Sequence, residues 1–107
     1  MRVGPFLFAS GQGPLDPVTG ELPADFGAQV RQVLANVEAV VVAAGGDRTS
    51  ITRCTCYLAD PSHFPQFNAV YGEFFADCTP LPARTTVVAG LVREGVLVEV
   101  DAVAALG

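Results

Sequence analysis

The apolar residues between Asp25 and Ala44 recur at helical spacing, and this segment constrains the fold more than any other part of the chain. Gly45 and Gly46 follow directly, where the end of a helix favours glycine. We therefore predict an amphipathic helix whose apolar face must be buried against another element. Its apolar positions are Phe26, Val30, Val33, Leu34, Val37 and Val41.

Strand-like runs surround this helix. "VGPFLFAS" precedes it, before the loop "GQGPLDPVTGEL", and "TSITRCTCYL" follows it. A second helix is predicted over "ADPSHFPQFNAVYGEFFAD", with Ser62 as its N-cap and Pro65 in its first turn. Two more strands follow, from about Ala83 to Ala89 and from about Val96 to Ala104. This order predicts an α+β two-layer sandwich, in which two helices cover one face of a mixed sheet.

The composition bears on what covers the other face of that sheet. The chain of 107 residues is long enough for a single domain with one core, which we expect to span residues 1–107. Half of the residues are hydrophobic and only 16% are charged, so polar residues are too few to cover a monomer of this size. We expect an apolar, uncovered sheet face that a symmetric oligomer closes.

The charge balance excludes some classes of function. The net charge is −5 and only six residues are basic, which opposes general nucleic-acid binding because phosphates require clustered Lys and Arg. No apolar run approaches the roughly 18 to 20 residues of a membrane span, and no signal-peptide pattern begins the chain. We expect a soluble, cytosolic protein without membrane or nucleic-acid partners.

Three cysteines do not form a disulfide framework. Cys54 and Cys56 alternate within a strand, so both sulfurs lie on one face. A metal site would need two more ligands, and only Cys78 and His63 are available. The favoured interpretation is that the cysteines are small buried hydrophobic residues.

Charged residues interrupt the last two strands. If these strands pair as a hairpin with its turn near Val92, Arg84 and Thr86 share a sheet face with Glu99 and Asp101. Two interpretations remain open. Arg84 and an acid could form a structural cross-strand ion pair. Alternatively, the guanidinium is held open to bind a carboxylate, with an acid nearby for proton transfer or water positioning.

Asn68 raises a similar question on the second helix, where it shares the apolar face with Phe64. A polar amide there needs a hydrogen-bond partner. Either the backbone or a subunit contact supplies it, or the side chain lines a ligand cleft.

Five segments together resemble one known family. They are "SGQGPLDPVTGEL", "QVLANVEAVVVAAGG", "CYLADPSHFPQFNAVYGEFF", "PLPARTTV" and "VLVEVDAVA", and they follow the order and spacing of the RidA family, also called the YjgF family. The resemblance extends from about Val3 to Ala104. It implies a chorismate-mutase-like α+β fold and a homotrimer with clefts between subunits. It also implies hydrolysis of reactive enamine and imine intermediates, such as 2-aminoacrylate and 2-iminopropanoate, to a 2-keto acid and ammonia. No metal or organic cofactor is implied.

The resemblance assigns roles by position. Arg84 matches the arginine that binds the substrate carboxylate, and Glu99 matches the acid that positions or activates water, with Asp101 next along the strand. Thr86 matches a substrate-binding position at which many relatives have Cys. The backbone N–H and C=O at this position can bind the substrate with either side chain. The other substrate-binding positions are Ser10, Gly11 and Asn68.

Relatives usually carry about twenty more residues at the N-terminus, including a first strand whose aromatic ring contributes to the cleft. We expect that strand to be absent here, since the chain starts at what matches the second strand.

Besides a different deamination or hydrolysis by a divergent member of the family, two other functions remain as alternatives. One is a non-catalytic trimer that binds a small carboxylate as a sensor or carrier. The other is the endoribonuclease activity also associated with the family, which the acidic composition opposes.

Overall fold

The computed structural model describes all residues, 1–107, as one sheet of five strands with two α-helices. Short 3₁₀ turns at Arg48–Ser50 and Pro61–His63 precede β3 and α2. The elements are β1 (Arg2–Val3), β2 (Phe6–Gln12), α1 (Phe26–Ala43), β3 (Ile51–Leu58), α2 (Phe64–Phe74), β4 (Ala83–Val88) and β5 (Val98–Ala105).

The sheet has the strand order β1-β2-β5-β3-β4. β5 runs antiparallel to both of its neighbours, β2 and β3, and β4 runs parallel to β3 at the edge. α1 connects β2 to β3 and α2 connects β3 to β4, so both crossovers move across the sheet in the same direction. Crossovers of the same hand and direction put their helices on the same face. The predicted α+β sandwich, with two helices on a mixed sheet, is confirmed.

The predicted hairpin of the last two strands is wrong. β4 and β5 are not neighbours, because β3 lies between them. β5 pairs with β3 over most of its length, from Ile51 opposite Ala104 to Leu58 opposite Val98. In that central position, the inward-facing residues of β5 are almost fully buried. Burial at the centre of the sheet therefore outweighs the short sequence distance that favours a hairpin.

The predicted first helix is confirmed at both ends. The Asp25 side chain accepts a hydrogen bond from the Ala28 N–H at 2.9 Å and caps the N-terminus. At the C-terminus, Gly45 has φ of 97°, and Gly46 donates its N–H to the Val41 carbonyl. This left-handed termination favours glycine, which has no Cβ.

The predicted cap of the second helix is wrong. Ser62 lies inside the 3₁₀ turn, and the Asp60 side chain accepts the hydrogen bond from its N–H. α2 begins at Phe64 without a side-chain cap, and Pro65 lies in its first turn as predicted. Asp60, two positions before Ser62, therefore caps the 3₁₀ turn, and the chain continues from that turn into α2.

Between the helices and the sheet, a core of 22 buried hydrophobic residues includes Cys54, Cys56 and Cys78. All three cysteines are free and buried, which confirms their prediction as small hydrophobic residues. No three His, Cys, Asp or Glu side chains cluster closely enough to hold a metal ion. Burial raises the pKa of the Cys54 thiol to about 11 and that of Cys56 to about 12.

Gln29 is the one polar residue buried in this core. Its amide nitrogen donates to the carbonyls of Pro23 and Gly95 at 2.8 and 2.9 Å, and its amide oxygen accepts from the Leu97 N–H at 2.8 Å. Gln29 therefore ties α1 to the segment that leads into β5.

The second face of the sheet carries no helix, as predicted, but it is only partly apolar. Phe6 and Phe8 on β2 are 47% and 44% exposed. Polar side chains, Tyr57 and Asp101 among them, occupy the β3 and β5 part of the same face. Neither α-helix combines the length and apolar character that a membrane span requires.

We expect Gln29→Leu to lower the free energy of unfolding by about 2–4 kcal/mol, because three backbone groups lose their hydrogen bonds at about 1 kcal/mol each. Urea denaturation at fixed protein concentration measures the change. The matched control is Gln66→Leu, at an exposed position of α2. Equal stability of the two variants would contradict the bridging role of Gln29.

The buried thiols also predict a pH dependence. Their folded pKa values of about 11 and 12 lie above the ordinary value of 9.0, so the unfolded chain loses these protons first as the pH rises. We expect the free energy of unfolding to fall as the pH rises from about 9 to about 12. The double variant Cys54→Ala/Cys56→Ala should flatten this decline, whereas Val33→Ala, at another buried position, should only shift it. If the free energy of unfolding fell with pH in parallel for the wild type and both variants, the decline would not come from these thiols.

Candidate functional site

Arg84 lies on the helix side of the sheet. It pairs with Cys54 of β3, whose side chain is fully buried beneath α2. The guanidinium carbon of Arg84 is 4.8, 5.5 and 5.7 Å from the ring centroids of Tyr71, Phe67 and Phe64. Aromatic faces attract a cation at these distances and partly replace its lost hydration.

Arg84 has no anionic partner in the chain. The single ion pair in the structure joins Arg48 to Glu38, far along the sequence from Arg84. A guanidinium presents five N–H donors in a planar fork that matches a carboxylate or phosphate. This arrangement contradicts the structural ion pair and favours the interpretation in which the guanidinium is held open for an anion.

Unpartnered polar atoms come from the elements around Arg84. The Asn68 Oδ1, the Tyr71 hydroxyl and the Thr86 Oγ1 are buried, and none of them makes a hydrogen bond. Tyr71 adjoins the thiol of Cys54, which is only a weak partner, and burial raises the pKa of the Tyr71 hydroxyl. Buried polar atoms normally find partners, so three unpartnered atoms on β4 and α2, the elements whose residues surround the unpaired Arg84, indicate a ligand site.

Glu99 lies on the opposite face. It pairs with Tyr57 of β3, whose side chain points away from the helices. Glu99 and Asp101 line a depression of about 350 Å³ on this face. The rest of its lining comes from Gly11, Tyr57 and residues 89–91.

Ser10 and Gly11 lie at an irregularity of β2, where the pairing with β5 shifts between Ala9 and Gln12. A Cβ added to Gly11 would lie 2.5 Å from the Glu99 Oε1. The absence of a side chain at Gly11 therefore lets the Glu99 carboxylate approach the backbone of β2. Ser10 is exposed at the same shift in register.

Tyr57 and Asp101 form a hydrogen-bonded pair next to Glu99. The Tyr57 hydroxyl donates to the Asp101 Oδ2 at 3.0 Å. This hydrogen bond to a carboxylate, with the nearby negative charges, raises the pKa of Tyr57. The phenol stays protonated at neutral pH and holds the Asp101 carboxylate beside Glu99.

The prediction that Arg84 and Thr86 share a face with Glu99 and Asp101 is wrong. It follows from the hairpin that the structure does not contain. The site residues instead form two groups on opposite faces. We call Arg84, Thr86, Asn68 and Tyr71 the anion half-site, and Ser10, Gly11, Glu99, Asp101 and Tyr57 the acid half-site.

Sequence reasoning did not identify Tyr57 or Tyr71 as site residues. Tyr71 has the spacing of an ordinary core aromatic, and nothing in the sequence shows that its hydroxyl lacks a partner. Tyr57 lies between Cys56 and Leu58 in its strand, and successive side chains of a strand point to opposite faces. The sequence therefore places Tyr57 on the open face of the sheet. Its cross-strand neighbours could be identified only once β5 was known to pair with β3.

Known proteins match the chain over nearly its whole length. The sequence profile described as Endoribonuclease L-PSP matches residues 1–106. A RutC family protein of Pyrococcus horikoshii is 40% identical over 105 residues, which are 97% of this chain and 82% of that protein. The 2-iminobutanoate/2-iminopropanoate deaminase of Escherichia coli K12 is 40% identical over 103 residues, which are 95% of this chain and 80% of that protein.

Solved structures match equally well. The YjgF gene product of E. coli superposes with a TM-score of 0.93 at 39% identity, over 98% of this chain and 84% of that one. E. coli TdcF with bound serine superposes with a TM-score of 0.94 at 38% identity, over 100% of this chain and 85% of that one. The chain therefore belongs to the RidA/YjgF family, whose sequence profile carries the description Endoribonuclease L-PSP.

Proposed function

We propose that the protein hydrolyses reactive enamine and imine intermediates, of the 2-aminoacrylate and 2-iminopropanoate type, to a 2-keto acid and ammonia. The observation that carries this proposal is the half-buried side chain of Arg84, which has no carboxylate partner, together with three unpartnered polar atoms on β4 and α2. A small planar carboxylate would satisfy its fork with two parallel hydrogen bonds.

We further propose that the complete site forms between subunits of a homotrimer. Arg84 and Glu99 lie on opposite faces of one sheet, so one small molecule cannot touch both within a single chain. A cyclic assembly brings the anion half-site of one subunit against the acid half-site of the next, which makes three equivalent clefts. The exposed Phe6 and Phe8 offer apolar area for this contact.

The chemistry then needs little beyond orientation. Arg84 binds the carboxylate, and the Thr86 hydroxyl and backbone hold the imine nitrogen. Glu99 accepts a proton from water as the oxygen adds to the imine carbon, and it returns that proton to the nitrogen. The carbinolamine loses ammonia and leaves the 2-keto acid. Asp101, which accepts a hydrogen bond from Tyr57, lines the same depression as Glu99.

The relatives support this assignment. A deaminase of this type is 40% identical to the chain, and a TdcF structure at 38% identity contains serine, a small molecule with a carboxylate. The bound serine equally favours a carboxylate-binding sensor or carrier as a second candidate. RNA cleavage is named in the family description, but RNA binding needs clustered cations. This chain has no such cluster in its sequence, since all six basic residues are arginines spread from Arg2 to Arg93. Three free cysteines suit the reducing cytoplasm, where we place the reaction.

Substitution of Arg84 tests the carboxylate site. We expect Arg84→Ala to reduce the acceleration of 2-iminopropanoate hydrolysis above the spontaneous rate by at least about 30-fold, because a charge-assisted, bidentate contact is lost. Arg84→Lys should reduce the same acceleration about tenfold, since an ammonium forms one contact with the carboxylate in place of two. Keto-acid and ammonia release provide the measurement.

Arg31→Ala, at an exposed position of α1, is the control and should change nothing. An Arg84→Ala protein that keeps the full acceleration would refute the site. A folded wild type that binds pyruvate through Arg84 but accelerates no imine hydrolysis would instead establish the sensor or carrier function.

Mixed assemblies test the shared site. Arg84→Ala and Glu99→Gln chains should each be inactive alone. After unfolding and refolding together in equal amounts, about a quarter of the clefts combine an intact Arg84 with an intact Glu99 from the neighbouring subunit. We therefore expect about a quarter of the wild-type activity to return. No recovery, from a mixture shown to contain mixed trimers, would contradict an intersubunit site.

A further inference from the structure

An apolar depression of about 260 Å³ lies between the N-terminus of α2 and the end of β4, and the proposed reaction uses only Thr86 of the residues that line it. Phe64 on one side is 41% exposed, and Val88 on the other is 53% exposed. Such neighbouring exposed apolar side chains mark a surface that gains from being covered. Its lining residues are Leu58, Pro61, Phe64, Thr86, Val87 and Val88.

This depression is continuous with the anion half-site. Phe64 belongs to both, because its ring also lies 5.7 Å from the guanidinium carbon of Arg84. Thr86 is the next residue after Arg84 on the same face of β4, and Val88 is the next after Thr86. At about 3.3 Å per residue, these Cα atoms lie about 7 and 13 Å from that of Arg84.

The strand therefore presents a cation, then a hydroxyl, then an apolar surface, in a straight line. A ligand that matches this order has a carboxylate at one end, a polar nitrogen or oxygen next to it and an apolar chain beyond. Because the depression is a gap between two elements rather than a flat surface, it can enclose several carbon atoms. A single methyl group would leave most of its volume to water.

We propose that this depression binds the substrate side chain, so that the protein prefers 2-imino acids with branched-chain or aromatic side chains to 2-iminopropanoate. This inference rests on the proposed function for its chemistry, and it assigns Val88, Pro61 and Phe64 the role of determining specificity. The carboxylate lies at Arg84, the imine carbon beside Thr86 and the side chain between Phe64 and Val88.

The test compares imines generated in place by an L-amino-acid oxidase from alanine, leucine and phenylalanine. For the wild type, we expect kcat/KM to be at least about tenfold higher for the leucine-derived and phenylalanine-derived imines than for the alanine-derived one, as for apolar pockets that discriminate by a few carbon atoms. Val88→Trp should fill the depression and bring this ratio close to one. Val88→Glu should do the same by placing a carboxylate among apolar groups.

Val42→Trp and Val42→Glu are matched controls, because Val42 is 55% exposed on α1 and lies outside the depression. Both should keep the wild-type ratio. A wild type that hydrolyses all three imines equally, or Val88 variants that keep the wild-type preference, would overturn the subsite and leave the proposed reaction intact.

Equilibrium binding separates the two proposals if no imine is hydrolysed faster than it is in water. Pyruvate and 4-methyl-2-oxopentanoate, the keto acids of alanine and leucine, are the probes. We expect the larger one to bind at least about tenfold more tightly to the wild type and to lose that advantage in Val88→Trp. Preferential binding without hydrolysis would refute the reaction but support the subsite, whereas equal or undetectable binding would overturn the subsite.

Discussion

The position of β5 at the centre of the sheet determines where every functional group lies. β5 fills the space between β2 and β3, and β4 pairs in parallel with the remaining edge of β3. A parallel pair needs a crossover connection, which α2 supplies. The register that results puts Arg84 beside Cys54 and beneath the aromatic face of α2. The same register of β5 turns Glu99 and Asp101 to the other face.

The two faces give these charged residues different environments. On the helix side, Arg84 is partly shielded from water and surrounded by ring faces, which strengthens its attraction for an anion. On the open side, Glu99 and Asp101 lie in a depression that solvent reaches, and Tyr57 bonds to one of them. Three polar atoms around Arg84 remain without partners, which opposes folding stability. This cost is typical of a site that a ligand completes.

Much of the fold could be predicted from the sequence because its signals are local. The period of α1 and its termination at Gly45 and Gly46 both depend on neighbouring residues, and they predict a helix within one residue of its observed ends. The order of β5 and β4 in the sheet depends on which strand buries more apolar area at the centre. That comparison involves residues about 95 positions apart in the sequence, such as the paired Phe8 and Val103. The faces of Arg84 and Glu99 follow from that order, so the residue types could be predicted and their arrangement could not.

In the proposed assembly, the two half-sites on opposite faces give each subunit two different contributions to the clefts. The anion half-site and its neighbouring depression contain the groups that select a ligand, a cation followed by an apolar surface. The acid half-site contains the groups that can move a proton. Substitutions around Arg84 should therefore change affinity and specificity, whereas those around Glu99 should change the chemical step. In the proposed reaction neither half-site acts alone, so activity would depend on assembly, and a family member that loses Glu99 while keeping Arg84 would remain a binding protein.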